Sequence, residues 1–498
     1  MKILLISPPF YRFIGYYNRY FPLGLASLAA ALQKREHEVL IYDADSNTNP
    51  SKMNFAFLED SYPLYLKALK NNNHPIWREM SEKIRSFAPD AIGITTLTTF
   101  AASAFKTAQL CKQYNKDIPI IAGGPHCTIK PDEVMKICPD IDFLVRSEGE
   151  ETLPELIENL KDSKTTEVLN NIKAITYRQH GRLVHTHDRE FIDDLDTLGF
   201  PARELLMNKA SYDSEDMGLL MTSRGCPYRC SYCATSIWKR KVRYRSVDNV
   251  IAEIKLVSNA YGTRQFTFKD DSFTVNRKRV FKFCDRIIAE KLNINWDCNT
   301  RVDLIDEELL KKMKKAGCNS IKVGIETGSK RVSALINKCT TLSQAKEAAA
   351  LFKKVGIHWT GYFMIGLPTE TKEEIYQTLK FMKELKPDFA SLSVYEPFPG
   401  TDLFQIGIRE NLVQDERTLQ DFYDISPKYY YVKNIQRRIN TMSSEEFETL
   451  ESEIKREFHK YNRGLTRLAK RAKSRSKLYL HNHGIVWSDI KKLWGWIR

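Results

Sequence analysis

Three cysteines fall close together in RGCPYRCSYCA: Cys226, Cys230 and Cys233. Thiolate sulfur binds iron, and three thiolates on one short loop can hold three irons of a cubane [4Fe–4S] cluster. A structural cubane would want a fourth cysteine nearby, and the next along is only Cys284. Three ligands leave one iron open for a substrate or cofactor. A zinc site would likewise want a fourth Cys or His close by. The other seven cysteines (Cys111, Cys127, Cys138, Cys284, Cys298, Cys318, Cys339) are irregularly spaced and read as small buried hydrophobes. With no secretory signal, ten cysteines in 498 residues argue for thiols or metal ligands rather than a disulfide framework.

The cysteine loop follows a short apolar run, GLLMTS from 218, and five more candidate strands come after it: QFTFKD, INWDCN, SIKVGIE, HWTGYFMIG and FASLSVY. Helical patterns separate them, such as DEELLKKMKKAG ending on Gly317. Six such units suit a partial (β/α)6 barrel, two short of the full eight. Chemistry-bearing residues gather where these strands end. Asp270 and Asp271 close the second, Arg301 the third, Gly324 and Glu326 the fourth, and Gly366 the fifth. Each alone would be a capping or turn residue. Gly324 lets another backbone approach closely, and Glu326 offers a carboxylate.

Upstream, KILLI, EVLIYD, AIGITT, IPIIAG and DFLVR alternate with amphipathic segments such as LGLASLAAALQKR. That cadence predicts a doubly wound, Rossmann-like parallel sheet, which binds ligands at the carboxyl ends of its strands. The expected organisation is α/β, with this sheet over 1–160, a linker with its own hairpin (AITYRQHGRLVHTH) over 161–212, the barrel over 213–425 and a helical basic region over 426–498.

The spacing C-x3-C-x2-C after a first barrel strand resembles the radical S-adenosylmethionine (SAM) superfamily. The resemblance implies that Cys226, Cys230 and Cys233 ligate a [4Fe–4S] cluster whose open iron chelates SAM. Reduction of that cluster cleaves SAM to a 5′-deoxyadenosyl radical. It also places Tyr232 against the adenine, IKVGIETGS (Gly324, Glu326) at the amino-acid end or ribose, Arg301 near the ribose and FMIGLPTET (Gly366) near the adenine, with Asp271 as a further contact.

The first 160 residues resemble the cobalamin-binding domain that precedes many such barrels, through SPPF (Pro8), PLGLASLAAAL (Gly24), AGGPHCTIKPDEV (Gly123, Gly124, His126) and VRSEGEETLPEL (Glu148, Gly149). The histidine motif Asp-x-His-x-x-Gly is absent, which leaves the lower face of cobalt unassigned; a residue of TTLTTF at 95–100 could pack there. The tRNA methylthiotransferases also carry a Rossmann-like domain, but their three N-terminal cysteines are spread between strands. Here Cys111, Cys127 and Cys138 are crowded together, and no small β-barrel RNA module follows the barrel, so nucleic acid is not expected as a partner.

The apolar fraction of 42% and charged fraction of 28% exclude global disorder. No run approaches the ~20 apolar residues of a membrane span, and MKILLISPPF makes a poor signal peptide, so a cytoplasmic protein is expected. The net charge is +14, of which ten Lys or Arg against one acid (Asp489) between Arg463 and Arg498 supply +9. In IVWSDIKKLWGWIR, Val486, Ile490, Leu493, Trp494 and Ile497 share one helical face. Such a helix suits peripheral contact with the inner membrane face, or docking on the protein's own surface.

Taken with the resemblance, the chain is expected to be a cobalamin-dependent radical SAM enzyme that methylates an unactivated carbon of a hydrophobic or biosynthetic small molecule. The alternative is an oxidative cyclase or rearrangement enzyme of the anaerobic magnesium-protoporphyrin monomethyl ester cyclase type, acting on a lipid- or porphyrin-like substrate. Either would draw electrons from an external flavodoxin or ferredoxin.

Overall fold

A computed structural model describes residues 1–16, 20–46, 58–161, 166–434, 439–464 and 467. The chain divides into two units, one made of Met1–Asp216 with Glu416–Tyr430, the other of Met217–Asp415 with the described residues from Tyr431 on.

The first unit is built on seven strands: β1 (Lys2–Ser7), β2 (Glu38–Asp43), β3 (Ala91–Thr95), β4 (Ile120–Gly123), β5 (Phe143–Val145), β6 (Ile175–Gln179) and β7 (Arg182–His185). They pair in the order β2-β1-β3-β4-β5-β6-β7. β1 to β5 run parallel, and their residues are buried in near-continuous runs, as a sheet covered by helices on both faces demands. The order reverses between β1 and β3, the place where doubly wound sheets open a crevice at the strand ends. The hairpin β6–β7 differs from the expected free-standing one. β6 pairs antiparallel with β5 (Val145 opposite Ile175), so it extends the sheet instead of bridging two domains. A hairpin with a half-buried edge finds its hydrogen-bond partners on the nearest open strand. The helix Leu419–Asp424 also joins this unit, where Phe422 meets Phe105 edge-on at 5.5 Å and Lys70 pairs with Asp424 at 2.6 Å.

In the second unit, six parallel strands pair in sequence order: β8 (Leu219–Leu220), β11 (Gln265–Phe268), β12 (Asn295–Thr300), β13 (Cys318–Glu326), β14 (His358–Ile365) and β15 (Phe389–Val394). The short antiparallel pair β9 (Ser223–Arg224) and β10 (Arg243–Tyr244) brackets the cysteine loop. All six expected barrel strands are present. Helix starts follow side-chain capping: Thr341 and Thr371 accept from the backbone N–H groups of Gln344 and Glu374, and those side chains return the bond. Trp296 anchors the layer between sheet and helices, fully buried against Phe268, Phe273 and Phe283. Truncating such a residue to Ala costs roughly 3–5 kcal/mol.

No helix among the described residues is long and apolar enough to cross a membrane. The C-terminal helix expected over 486–497 lies outside the described residues.

Candidate active site

The cysteine loop begins where β8 ends. Asp270, just past β11, is wholly buried and accepts from the Thr222 N–H at 2.6 Å and the Ser223 hydroxyl at 2.9 Å, which fixes the chain entering the loop. Cys226, Cys230 and Cys233 are half-buried free thiols. Burial pushes the Cys226 thiol up to about 11, and Asp271 and the other two thiols add to the shift. Cys230 is also raised, chiefly by burial, with Lys338 and Arg301 opposing. Burial therefore favours the protonated thiol at Cys226 and Cys230, and a metal ion would displace those protons.

Among the described residues, no three His, Cys, Asp or Glu side chains converge as ligands of one metal ion. Three thiolates with no fourth Cys or His on the loop suit a polynuclear iron–sulfur group, which takes one thiolate per iron. Cys230 and Cys233 line a small cavity with Tyr228, Thr235 and Thr401.

Sequence-distant residues meet beside this loop. The Tyr232 hydroxyl donates to Glu326 Oε1 at 3.0 Å, and Lys338 Nζ donates to the same oxygen at 2.5 Å. Both ends of the ion pair are buried, and Lys338 is only 5% exposed. Burial pushes the Tyr232 hydroxyl well above its usual range, and Glu326 reinforces this. The register between β13 and β14 slips between Gly324 and Glu326, and Glu326 adopts a positive φ of 68°. A side chain at 324 would collide with the Glu326 carboxylate and the Lys338 ammonium, so only glycine leaves room for the pair. A backbone strained at a strand end, holding a buried carboxylate against a cation, is the kind of feature that clusters at working sites.

Tyr232 packs against a buried cluster formed by Val332, Ile336, Met364, Leu367, Tyr395 and Leu403. Met364 and Leu367 belong to FMIGLPTET, so residues of that segment form part of the apolar cluster on which Tyr232 packs. Gly366 lies in the turn between them, its N–H donating to the buried Glu370 carboxylate at 2.7 Å. Arg301 forms a fork with Asp303 at 2.9 and 3.0 Å, donates to the Lys338 carbonyl at 2.8 Å, stacks on Tyr228 at 3.6 Å and brings Nη1 to 3.9 Å from Cys230 Sγ. With its donors so engaged, Arg301 acts as the cation beside Cys230. Asp271, next to Cys226, is pushed up to about 6 by burial and by Asp270. Neither Lys338 nor Tyr228 stands out in the sequence. A lone lysine in INKCTT carries no motif, and only the folded chain brings it to Glu326.

The first unit's candidates play varied parts. Pro8 is buried after β1, and Gly24 is exposed near the start of the helix Leu23–Gln33, with open space where a β-carbon would sit. Gly123 ends β4. Gly124 has φ 106°, and a side chain there would strike the Thr96 carbonyl at 2.8 Å. Glu148 accepts from the Ile192 N–H at 2.9 Å, and Gly149 lets a helix pack on Leu28. His126 is wholly buried; its Nδ1 lies 3.2 Å from the Thr98 hydroxyl, and Nε2 lies 3.6 Å from Glu133. Burial lowers it to about 3, so the ring is neutral. It is enclosed in the turn after β4, and the exposed group of TTLTTF is Leu97, 40% exposed. Apolar surface and bare backbone without a projecting histidine fit a corrin held by its flat face.

The sequence matches the B12 binding domain over residues 14–157 and the Radical SAM superfamily over 220–382. It is 36% identical over 419 residues to an uncharacterized methyltransferase of Pyrococcus horikoshii, covering 83% of this chain and 84% of that protein. It is 33% identical over 332 residues to the anaerobic magnesium-protoporphyrin IX monomethyl ester cyclase of Rubrivivax gelatinosus, covering 66% of this chain and 60% of that one. The fold is similar to that of the radical S-adenosylmethionine methyltransferase TsrM from Kitasatospora setae, solved with cobalamin and a [4Fe–4S] cluster. The TM-score is 0.62 at 16% identity, over 86% of this chain and 81% of that one. It is also similar to the cobalamin-dependent radical enzyme OxsB, with a TM-score of 0.59 at 18% identity, over 92% and 61%. The chain belongs to the radical SAM enzymes that carry a B12-binding domain.

Proposed function

We propose that this enzyme transfers a methyl group to an unactivated carbon of a small-molecule substrate. The observation that carries this is the trio of unbridged thiols beside the buried Tyr232–Glu326–Lys338 constellation, in a chain that also holds a B12-binding domain. When bound, the cluster would supply the electron that cleaves SAM to a hydrogen-abstracting radical, and cobalamin would supply the methyl group.

The protein's own residues bind and orient. Cys226, Cys230 and Cys233 hold the cluster, and Arg301 places a positive charge beside Cys230 that favours its thiolate. Glu326 offers a carboxylate to the hydroxyls or ammonium of SAM, steadied by Lys338, with Asp271 as a second acceptor. Tyr232, Met364 and Leu367 give the adenine an apolar wall, and Glu370 holds the turn at Gly366. In the first unit, Pro8, Gly24, Gly123 and Gly124 are the candidate corrin contacts, with Leu97 as the apolar residue facing it. A flavodoxin- or ferredoxin-type protein is the expected electron donor.

A second reading is oxidative cyclisation, favoured by the 33% identity to the cyclase. One experiment separates them. The protein is reconstituted anaerobically with iron, sulfide and hydroxocobalamin, reduced with dithionite, then given SAM carrying a deuterated methyl group and a metabolite extract. Methyl transfer yields deoxyadenosine together with a product that has gained the labelled methyl. Deoxyadenosine with substrate turnover but no labelled product supports cyclisation.

A further inference from the structure

The three thiols of the cysteine loop have different neighbours. The Tyr228 N–H donates to Cys226, and Arg301 brings Nη1 to 3.9 Å from Cys230 Sγ. At Cys233 the neighbour is neutral: the Thr235 hydroxyl lies 3.3 Å from Sγ. While Cys233 is a thiol, either atom of that pair can donate. A thiolate has no proton to give, so once Cys233 binds iron the hydroxyl must be the donor.

Local structure holds the hydroxyl in place. The loop is tied to the turn after the helix Lys330–Leu335. Ser231 donates its N–H to the Ile336 carbonyl at 2.9 Å and its hydroxyl to the Leu335 carbonyl at 3.1 Å, and the Asn337 amide donates to the Arg229 carbonyl at 3.0 Å. The Cys233 N–H donates to the Cys230 carbonyl at 3.1 Å, and the short helix Ala234–Trp238 starts at the next residue. Lys239 and Arg240 then take φ values of 47° and 59° before the chain enters β10. Consecutive left-handed residues persist only where the surroundings over-determine them. A hydroxyl in a first helical turn commonly serves backbone groups. Thr235 gives its bond to the sulfur, and it lines the cavity that Cys230 and Cys233 also line.

We infer that Thr235 is a positioning residue for electron transfer, whose hydroxyl donates to Cys233 and raises the reduction potential of the cluster held there. The inference rests on the reading of Cys226, Cys230 and Cys233 as the cluster ligands. Reduction brings in one electron from the external donor, and part of the added negative charge falls on the cysteine sulfurs. A hydrogen bond already aimed at one of them strengthens as that charge arrives, so it stabilises the reduced state more than the oxidised one. Arg301 would act in the same sense at Cys230, but its guanidinium is forked to Asp303 at 2.9 and 3.0 Å, and that carboxylate offsets part of its charge. The neutral hydroxyl of Thr235 acts at shorter range.

The test uses the full chain, reconstituted anaerobically with iron and sulfide but without cobalamin or SAM. The cluster is titrated with a low-potential reductant and redox mediators, and the reduced fraction is read by electron paramagnetic resonance and by loss of visible absorption. Thr235→Val removes the hydroxyl at nearly constant volume, and Thr235→Ser keeps it. At the parent's midpoint potential, Thr235→Val should lower the ratio of reduced to oxidised cluster roughly three- to tenfold, which is about 30–60 mV for one electron. Thr235→Ser should return towards the parent. Thr235→Ala, which cannot crowd the sulfur, should shift in the same direction as Thr235→Val, and it is read instead if Thr235→Val takes up less iron. A midpoint unmoved in the variants without the hydroxyl, or lowered equally in Thr235→Ser, overturns the inference. A parent that assembles no cluster overturns the cysteine assignment beneath it, whereas a fully loaded cluster insensitive to the Thr235 substitutions overturns the role of the hydroxyl alone.

Discussion

Tyr232 donates its hydroxyl to Glu326 at 3.0 Å, linking the cysteine loop to the end of β13 across 94 residues of sequence. The buried Lys338 shares that carboxylate oxygen, so tyrosine, carboxylate and ammonium act as one unit. Breaking a buried ion pair by removing one charge typically costs ~3–5 kcal/mol, because the other charge stays behind. Glu326→Gln should therefore lower urea stability by about 3 kcal/mol, and adding Lys338→Met should recover part of it. Both variants should lose SAM cleavage. A stable, fully active Glu326→Gln protein would remove the carboxylate from the site.

Cys230→Ala should abolish the visible charge-transfer absorption of the reconstituted cluster and the formation of deoxyadenosine, since a cubane held by three thiolates has none to spare. Full cleavage by this variant would overturn the cluster assignment.

Glu370 gives a pH signature. It is wholly buried, and burial pushes it up to about 8, although the Gly366 and Leu367 N–H groups oppose this. An unfolded glutamate titrates near ~4.3, so across the interval up to about 8 the folded state holds a proton that the unfolded state has lost. Its contribution is fully present below the unfolded value and drains away as pH rises towards 8. Thermal melts should show Tm falling between pH 5 and 8 more steeply in the parent than in Glu370→Gln, which keeps an acceptor for both N–H groups. Parallel pH profiles would show that Glu370 is ionised in the fold.

His126 is buried and neutral, engaged with Thr98 and close to Glu133. In protein loaded with cob(II)alamin, electron paramagnetic resonance should show no splitting from an axial histidine nitrogen, and His126→Asn should leave that spectrum unchanged. A nitrogen splitting that disappears in the variant would make His126 a ligand after all.

The cysteine loop and the strand ends were legible because spacing and alternation are local properties. EVLIYD became β2 without a shift, and QFTFKD, INWDCN and SIKVGIE became neighbouring parallel strands. What could not be read were contacts made by chain return. Lys338 gives no local signal, the hairpin β6–β7 carries no sign that it pairs with β5, and the closeness of Leu28 to Gly149 is set by helix packing. His126 stands two residues after a glycine pair at a strand end, where a projecting ligand is expected. The first helical turn instead folds it inward, beneath Phe422.

That last contact has a bearing on how the molecule can be dissected. The first unit is discontinuous, because Glu416–Tyr430 returns to it after the barrel strands have been completed. A fragment ending at Asp216 would expose the apolar surface of Phe105 that Phe422 covers, and would be expected to aggregate or bind chaperones. Proteolytic nicking in the loop before Leu419 should likewise loosen the sheet, though the cut lies some two hundred residues downstream of it. The two halves are thus interleaved along the chain, and the segment that covers Phe105 is synthesised only after the barrel strands.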